Sequence, residues 1–533
     1  MPKIRHGIVV SANPLASRAG IAILKKGGNA IDAAVATAQT LGVTVPAFSG
    51  IGGGGFALIW LANEQKPIFM DYRERAPSSA FQDMFRVTGS GKVIADENSV
   101  GYKAVAVPGT LAGHASMLEK YGTMSLTDVI EPAIRCASRG VQVGRTLAYV
   151  WKQSTRKLKR FKGSRAIYLH KNRLYRQGEK ITLTNLRGSL EAIAVNGHRE
   201  FYYGKIADQI CDDMTANNGL VTHRDLERYA PTYREPIRGT YKGFDVISAP
   251  PPSAGGSIIL QALNILETYQ LKSYGHNSTQ SLHLLAEALS RGNMNCRTRV
   301  SDPDTSSVPT KLLISKDFAR QAAADIRASA ASFPPCPLNL PSMPASNTTH
   351  FVAADSDGNI VSMTESIECY FGSGVVVPGT GILLNDTMHD FDPRPGVANS
   401  VGPWKIPMSS MSPTIILKDG EPILALGSAG GPRIVSSTLQ VILNVIEFGM
   451  NVKQAVDAPR IHIEGDRILL ESNIPRATII NLHKMGHKAE VRLRKDSSDP
   501  GLYFGGVHAV HFNQNATAGG ADPRRDGLAV TIR

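Results

Sequence analysis

The sequence predicts an α+β fold with strands in layers and helices packed outside them, and three observations carry the prediction. Two pairs of apolar runs are each joined by a tight turn: 351–354 and 360–364 flank Ser356-Asp357-Gly358-Asn359, and 413–417 and 423–426 flank Lys418-Asp419-Gly420-Glu421. Such spacing is the signature of β-hairpins. Helical periodicity follows the strands, at 433–448 and 452–458. Before them, 14–26 has apolar residues at helical spacing, Gly27-Gly28 breaks it, and 30–41 is nearly all apolar and therefore a buried helix.

The run Ser49-Gly50-Ile51-Gly52-Gly53-Gly54-Gly55-Phe56 leads into a strand at 57–61. A phosphate-binding loop runs strand, glycines, helix; here a helix precedes and a strand follows, which excludes a nucleotide site. The glycines predict backbone passing close to another strand or to a substrate. Residues 180–330 read as mainly helical, with Pro250-Pro251-Pro252-Ser253 and Gly255-Gly256 forming a rigid turn that opens a helix over 257–269. From 321 onward the composition shifts to Ala, Ser and Pro, which reads as an extended linker, its second half above all.

A chain of 533 residues permits one large layered domain with insertions or two domains. Cys136, Cys211, Cys296, Cys336 and Cys369 show no CxxC or Cys/His spacing, so they read as free thiols and favour a reducing compartment. No signal-peptide core or membrane-spanning stretch is visible, so a cytoplasmic protein with no membrane partner is expected. The net charge of +13 is concentrated between Lys152 and Arg176, where ten Lys or Arg occur without an acid. With no nucleic-acid module beside it, this run reads as a solvated basic helix and loop, and no nucleic-acid partner is expected. His276, His283, His350 and His389 lack zinc-ligand spacing, so neither a metal nor another cofactor is expected.

Thr348 stands where the polar Ser346-Asn347 gives way to the alternation that begins at Phe351. As an ordinary residue it starts a strand. If the Asn347–Thr348 bond is cut, Thr348 gains an α-amino group beside its hydroxyl, which places nucleophile and general base in one residue. An exposed, cleavable bond is expected where a flexible segment delivers this Thr to the sheet.

Longer motifs surround these residues: Gly27-Gly28-Asn29-Ala30-Ile31-Asp32-Ala33-Ala34, the glycine run 49–56, Asp71-Tyr72-Arg73-Glu74, Pro250-Pro251-Pro252-Ser253, Thr348-Thr349-His350-Phe351, Gly381-Ile382-Leu383-Leu384-Asn385, Met408-Ser409-Ser410-Met411-Ser412-Pro413, Gly430-Gly431 and Asp522-Pro523-Arg524-Arg525-Asp526-Gly527. In these, in order and over essentially its whole length, the chain resembles the γ-glutamyltranspeptidase (glutathione hydrolase) family. The resemblance implies an N-terminal-nucleophile hydrolase with a four-layer αββα sandwich, made as a precursor that cuts itself. The expected fragments are 1–347, with a linker at about 321–347, and 348–533, held together as a heterodimer. Thr348 would attack a γ-glutamyl amide, and the resulting ester would pass to water or an acceptor amine.

The same resemblance assigns roles residue by residue. Arg73 matches the holder of the substrate α-carboxylate, a task suited to its planar fork. Asp390 and Glu368 match groups that meet the α-ammonium, and Ser409 and Ser410 match hydroxyls that also grip the carboxylate. Gly430 and Gly431 match the donors of N–H groups to the tetrahedral oxyanion. Ser366 stands where a Thr usually bonds the nucleophile. Thr387 replaces a usual Gln or Glu, and the 391–408 connection is roughly a dozen residues shorter than in members with a lid, which implies an open pocket. Two alternatives follow: an amidohydrolase for another carboxylate-bearing amide, of glutaryl-cephalosporin or oxamate type, which has no use for Asp390, and an unprocessed, inactive binding protein.

Overall fold

The computed structural model describes residues 7–89, 91–333, 346–494, 496–513 and 517–532, with backbone alone at 346 and 347. A seven-stranded antiparallel sheet has the order Leu528–Thr531, Ile8–Ser11, Ser346–Ala354, Ile360–Cys369, Gly54–Leu61, Lys66–Asp71, Thr232–Arg234. A six-stranded antiparallel sheet has the order Thr517–Ala521, Gly506–Phe512, Glu421–Ala429, Thr414–Lys418, Phe244–Ser248, Ile237–Tyr241.

Strand alternation sorts the apolar residues into three layers of core. Ile8, Val10, Phe56, Leu58, Val352 and Ala354 from the first sheet meet Ile247, Ile415, Leu417, Ala425 and Val510 from the second. The intervening residues Val9, Ala57, Ile59, Phe351 and Ala353 face outward, onto helices that include Ala30–Thr44. Behind the second sheet, Ile416, Leu424, Leu426 and Ala509 pack against Gly255–Leu266 and Arg433–Ile446. The layer order is αββα, as expected.

The buried helix Ala30–Thr44 starts on a capping box, in which the Asn29 side chain takes the Ile31 and Asp32 amides and the Asp32 carboxylate takes the Asn29 amide. Asp32 also accepts from Thr123 and Met124, so this buried acid is a structural cap.

The structure adds to one expectation and corrects another. The section 180–330 is mainly helical, as expected, but it also supplies Thr232–Arg234 to one sheet and Ile237–Tyr241 and Phe244–Ser248 to the other. Thr232–Arg234 and Phe244–Ser248 are three and five residues long and pair with strands more than 150 residues away, so no local pattern defines them, while Ile237–Tyr241 pairs only with Phe244–Ser248, as an edge hairpin. The linker also starts later than 321. Lys316–Ala324 is a helix, Ile326 and Phe333 pack on the second core, and the Ala331 amide donates to Met485 O at 2.6 Å. Residues 334–345, with Cys336 and the prolines at 341 and 344, lie outside the described residues. Cys136, Cys211, Cys296 and Cys369 are free thiols. No described helix is long and apolar enough to cross a membrane.

Candidate active site

Thr348 lies near the start of the strand Ser346–Ala354 and shares a face with His350, Val352 and Ala354, pointing between the two sheets. On one side the strand pairs with Ile8–Ser11 only from Val352 onward, so its first residues overhang that neighbour. On the other side Thr348 pairs with Ser366, and its Oγ1 donates to Ser366 Oγ at 3.4 Å. Thr348 is only 3% exposed. The expected exposed bond is therefore wrong for this chain: Thr348 is flanked by a paired strand and roofed by the second sheet.

Directly opposite the Asn347–Thr348 bond the ladder is irregular. Ser346 pairs with Cys369 and Thr348 with Ser366, so one residue on this strand faces two, Ile367 and Glu368, on the other. Glu368 in this bulge has φ 75°, a left-handed conformation costly for a residue with a side chain. The Glu368 amide donates to Ser366 Oγ at 2.8 Å, which closes the bulge and fixes the hydroxyl that meets Thr348.

Arg73 is 1% exposed, which rules out a surface ion pair with Glu74. It follows the strand Lys66–Asp71, its Nε donates to Pro407 O at 3.1 Å, and one terminal nitrogen is bonded to Asp390. The other terminal nitrogen lies 3.8 Å from Glu74. Burial works against the guanidinium charge, but Asp390, Glu74 and Glu368 outweigh it and hold the Arg73 pKa above its ordinary value. Burial raises the Glu74 pKa to about 7, opposed by Arg73 and by a 2.8 Å hydrogen bond from Thr387 Oγ1. Thr387 is thus a donor to Glu74, a role its departure from the family pattern did not suggest. Because the folded pKa of Glu74 lies above its ordinary 4.5, Glu74 makes stability fall as pH rises from about 4.5 to about 7. Glu74→Gln is expected to remove that part of the slope in melting temperature measured across this window; an unchanged slope would exclude the assignment.

Ser409 and Ser410 sit against the proline turn. The Ala254 amide donates to Ser409 O at 2.9 Å, Ser253 Oγ donates to Met411 O at 2.7 Å, and a Cβ on Gly255 would lie 2.4 Å from Ser410 O. The turn motif therefore shapes the Ser409-Ser410 backbone. Ser409 Oγ accepts from the Met411 amide, and Ser410 Oγ accepts from Arg297 at 3.5 Å.

Gly430 and Gly431 follow the strand Glu421–Ala429 and precede the helix Arg433–Ile446, with φ of 130° and 57°. A Cβ on Gly430 would lie 2.9 Å from Gly505 Cα. Neither amide has an acceptor among the described residues. Across the sandwich Ser362 Oγ donates to Leu426 O and the His350 ring packs on Gly427, so the contacts climb towards Gly430 as the first sheet climbs towards Ser366 and Thr348. Two free N–H groups at a helix N-terminus suit a developing oxyanion.

The structure also decides the glycine run. Cβ atoms on Gly52, Gly53 and Gly55 would lie 2.1, 2.1 and 2.5 Å from the carbonyls of Leu383, Ser366 and Thr364, and one on Gly54 would lie 2.6 Å from Glu74 Oε2. These glycines let the backbone pass beneath the site residues. Gly53→Ala is expected to displace Ser366, lower stability by about 1–3 kcal/mol and slow both chain cleavage and turnover, as seen by thermal melting and gel time courses.

Sequence reasoning missed several supports. Asn385 bonds Gly52 O and Ala106 on both its amide and carbonyl sides, and His114 Nε2 meets Glu365 at 2.5 Å beside Ser366. Spacing did not reveal them because their partners lie 250 residues or more away. The fold also gathers two groups of possible metal-ligating side chains that spacing denied, His283 with Glu287 and His487, and Glu368 with Cys369 and His389. In the first, His283 Nε2 already meets Arg327 O and Glu287 is bonded to Arg291 and Ser332. Lys157 of the basic run is not a solvated residue: its Nζ donates to Gly372 O at 2.6 Å and lies 3.7 Å from buried Asp386.

Thr348, Ser366, Glu368, Arg73 and Asp390 thus converge with Glu74 around one end of the sandwich. The Gamma-glutamyltranspeptidase family model matches residues 16–532. The chain is 40% identical to a glutathione hydrolase proenzyme of Pseudomonas sp. (strain A14), over 86% of this chain and 81% of that one. It is also 40% identical to the Acylase ACY 1 proenzyme of Pseudomonas sp. (strain SE83), over 99% and 94%. Among solved structures, a cephalosporin acylase from Bacillus halodurans superposes with a TM-score of 0.89 at 32% identity, over 99% of this chain and 96% of that one. With motifs, fold and relatives agreeing along the whole chain, the protein belongs to the γ-glutamyltranspeptidase family.

Proposed function

We propose that this chain is a self-cleaving γ-glutamyl hydrolase and transferase that acts on glutathione or related γ-glutamyl amides. Thr348 is the nucleophile, released by cleavage after Asn347. Its hydroxyl adjoins the carbonyl that must be attacked, and Ser366 Oγ orients it. Once cut, the new α-amine takes the hydroxyl proton as Oγ1 attacks the substrate carbonyl, and the Gly430 and Gly431 amides receive the oxyanion. The amide C–N bond breaks, the proton leaves with the amine, and water or an acceptor amine resolves the ester. Strands of the two fragments alternate in one sheet, with Ile8–Ser11 and Gly54–Leu61 flanking Ser346–Ala354 and Ile360–Cys369, so fragments 1–347 and 348–533 stay together as a heterodimer.

Relatives of equal identity carry hydrolase and acylase names, so the residues around Arg73 must separate the substrates. The observation that carries the γ-glutamyl reading is the pair of carboxylates, Asp390 and Glu368, beside this buried arginine. One of them offsets Arg73; a further negative charge at the same place is useful only to a substrate with an α-ammonium group. We expect γ-glutamyl-p-nitroanilide to be cleaved in strong preference to glutaryl-p-nitroanilide. Asp390→Asn should cost the first about 10- to 100-fold in kcat/KM and the second far less, as for loss of one charge-assisted hydrogen bond. A wild-type preference for the glutaryl amide would instead favour the acylase reading, to which the diversion of Thr387 to Glu74 lends support.

A further inference from the structure

The basic stretch 152–176 finds no role in the chemistry above, yet the fold carries part of it to the site. A cleft of about 1880 Å³ reaches the site at Asp390 and Met408, the latter a carbonyl partner of Arg73. One wall comes from the helix Thr155–Arg160, with Arg156 and Arg160; another comes from Arg492 and Arg494, which follow the strand Lys488–Val491. These four arginines come from opposite fragments of the proposed cut, all are exposed, and none has a carboxylate partner among the described residues.

Of the five acids in the same cleft, four are paired with other cations and the fifth, Asp499, accepts the Gly501 amide at 2.8 Å. Asp96 pairs with Lys92, Asp390 with Arg73, Asp392 with Arg394 and Glu471 with Arg524. Four arginines against the one remaining carboxylate, Asp499, leave the cleft with a net positive field, and walls of low dielectric focus such a field. Two of the arginines also lie over aromatic rings. Arg492 lies 4.5 Å over the Tyr503 ring and Arg160 5.6 Å over Phe161, contacts that hold the cations at the cleft without consuming their N–H donors. A solvated basic face has no reason to converge from two distant segments on one cleft. The short 391–408 connection, which carries Asp392 and Arg394, lines the cleft.

We propose that this cleft binds the part of the substrate that projects from the glutamyl pocket, and that the preferred substrates are γ-glutamyl amides whose leaving group carries several carboxylates. The inference rests on the γ-glutamyl reading above. The chemistry is unchanged: the amide C–N bond breaks as the Thr348 ester forms, and the released amine departs with its proton and its carboxylates along the cleft.

The test compares kcat/KM for three amides of the cleaved enzyme: γ-glutamyl-glycinamide, with a neutral leaving group; γ-glutamyl-glycine, with one carboxylate; and γ-glutamyl-γ-glutamyl-glutamate, whose released dipeptide carries three. The series is expected to rise by roughly three- to five-fold per carboxylate at low salt, the scale of an exposed ion pair, and to flatten at about 0.5 M salt. The ratio of tri-carboxylate to neutral substrate should collapse in Arg492→Glu/Arg494→Glu and, independently on the other wall, in Arg156→Glu/Arg160→Glu. A flat series in the wild type, or a preference that survives both pairs of substitutions and high salt, overturns the inference. Cleavage of the glycinamide with a flat series would defeat this inference alone, whereas failure to cleave any γ-glutamyl amide would defeat the functional reading with it.

Discussion

Thr348→Ala is expected to remain a single 533-residue chain and to lose at least ~10³-fold of its γ-glutamyl turnover. Removing the hydroxyl removes the group that attacks both the Asn347 carbonyl and the substrate, so both activities fall together. A merely structural threonine would behave otherwise: its loss would open a small cavity beside Ser366, lower stability, and leave cleavage intact. Thr348→Ser separates the two cases. It keeps the hydroxyl and its 3.4 Å relation to Ser366 while losing only a methyl group, so cleavage and turnover should persist at reduced rate. Intact mass and initial rates on the same samples read both effects.

The second large effect is expected at Arg73. Arg73→Met would leave Asp390, Glu74 and Glu368 facing one another in a buried site without their cation, a loss on the scale of about 3–5 kcal/mol. Glu74, already raised to about 7, would shift further up and take a proton at neutral pH. Arg73→Lys separates charge from shape. It keeps a cation against the carboxylates and so most of the stability, but it lacks the planar fork that spans Pro407 O, Asp390 and a substrate carboxylate. We expect Arg73→Lys to lose about 10²-fold in kcat/KM, mainly through KM, with melting close to wild type. A fall in melting temperature without a fall in kcat/KM would make Arg73 a structural ion-pair residue and remove it from the substrate site.

The candidate site residues were the most legible part of the chain, because they sit in long motifs whose local pattern is visible without the fold. Thr348 at a polar-to-apolar boundary and Gly430-Gly431 after an apolar strand lie in the expected elements, whereas the strand before Arg73 was not expected and its motif alone marked it. The hairpins at 351–364 and 413–426 were legible for the same reason, since a short turn fixes register locally. What escaped depends on long-range pairing. The strand Phe244–Ser248 exists because Thr414–Lys418 lies beside it, and the linker begins late because Phe333 finds the second core. Burial of Thr348 was missed because no local pattern shows that a second sheet covers the first. Thr387 was read as an absence of the usual side chain; its hydroxyl instead serves Glu74, a partner 313 residues away. In the basic run Arg156 and Arg160 are exposed, as the local charge pattern implied, but only the fold brings them into one cleft with Arg492 and Arg494.

The central claim is that a buried Thr348 becomes an N-terminal residue. Intact mass and N-terminal sequencing of the freshly purified wild-type chain test it most directly. The account predicts two fragments, 1–347 and 348–533, that co-purify without denaturant, the smaller one beginning Thr-Thr-His-Phe. A single uncut chain that still turns over γ-glutamyl amides, or a smaller fragment beginning at any other residue, would contradict it.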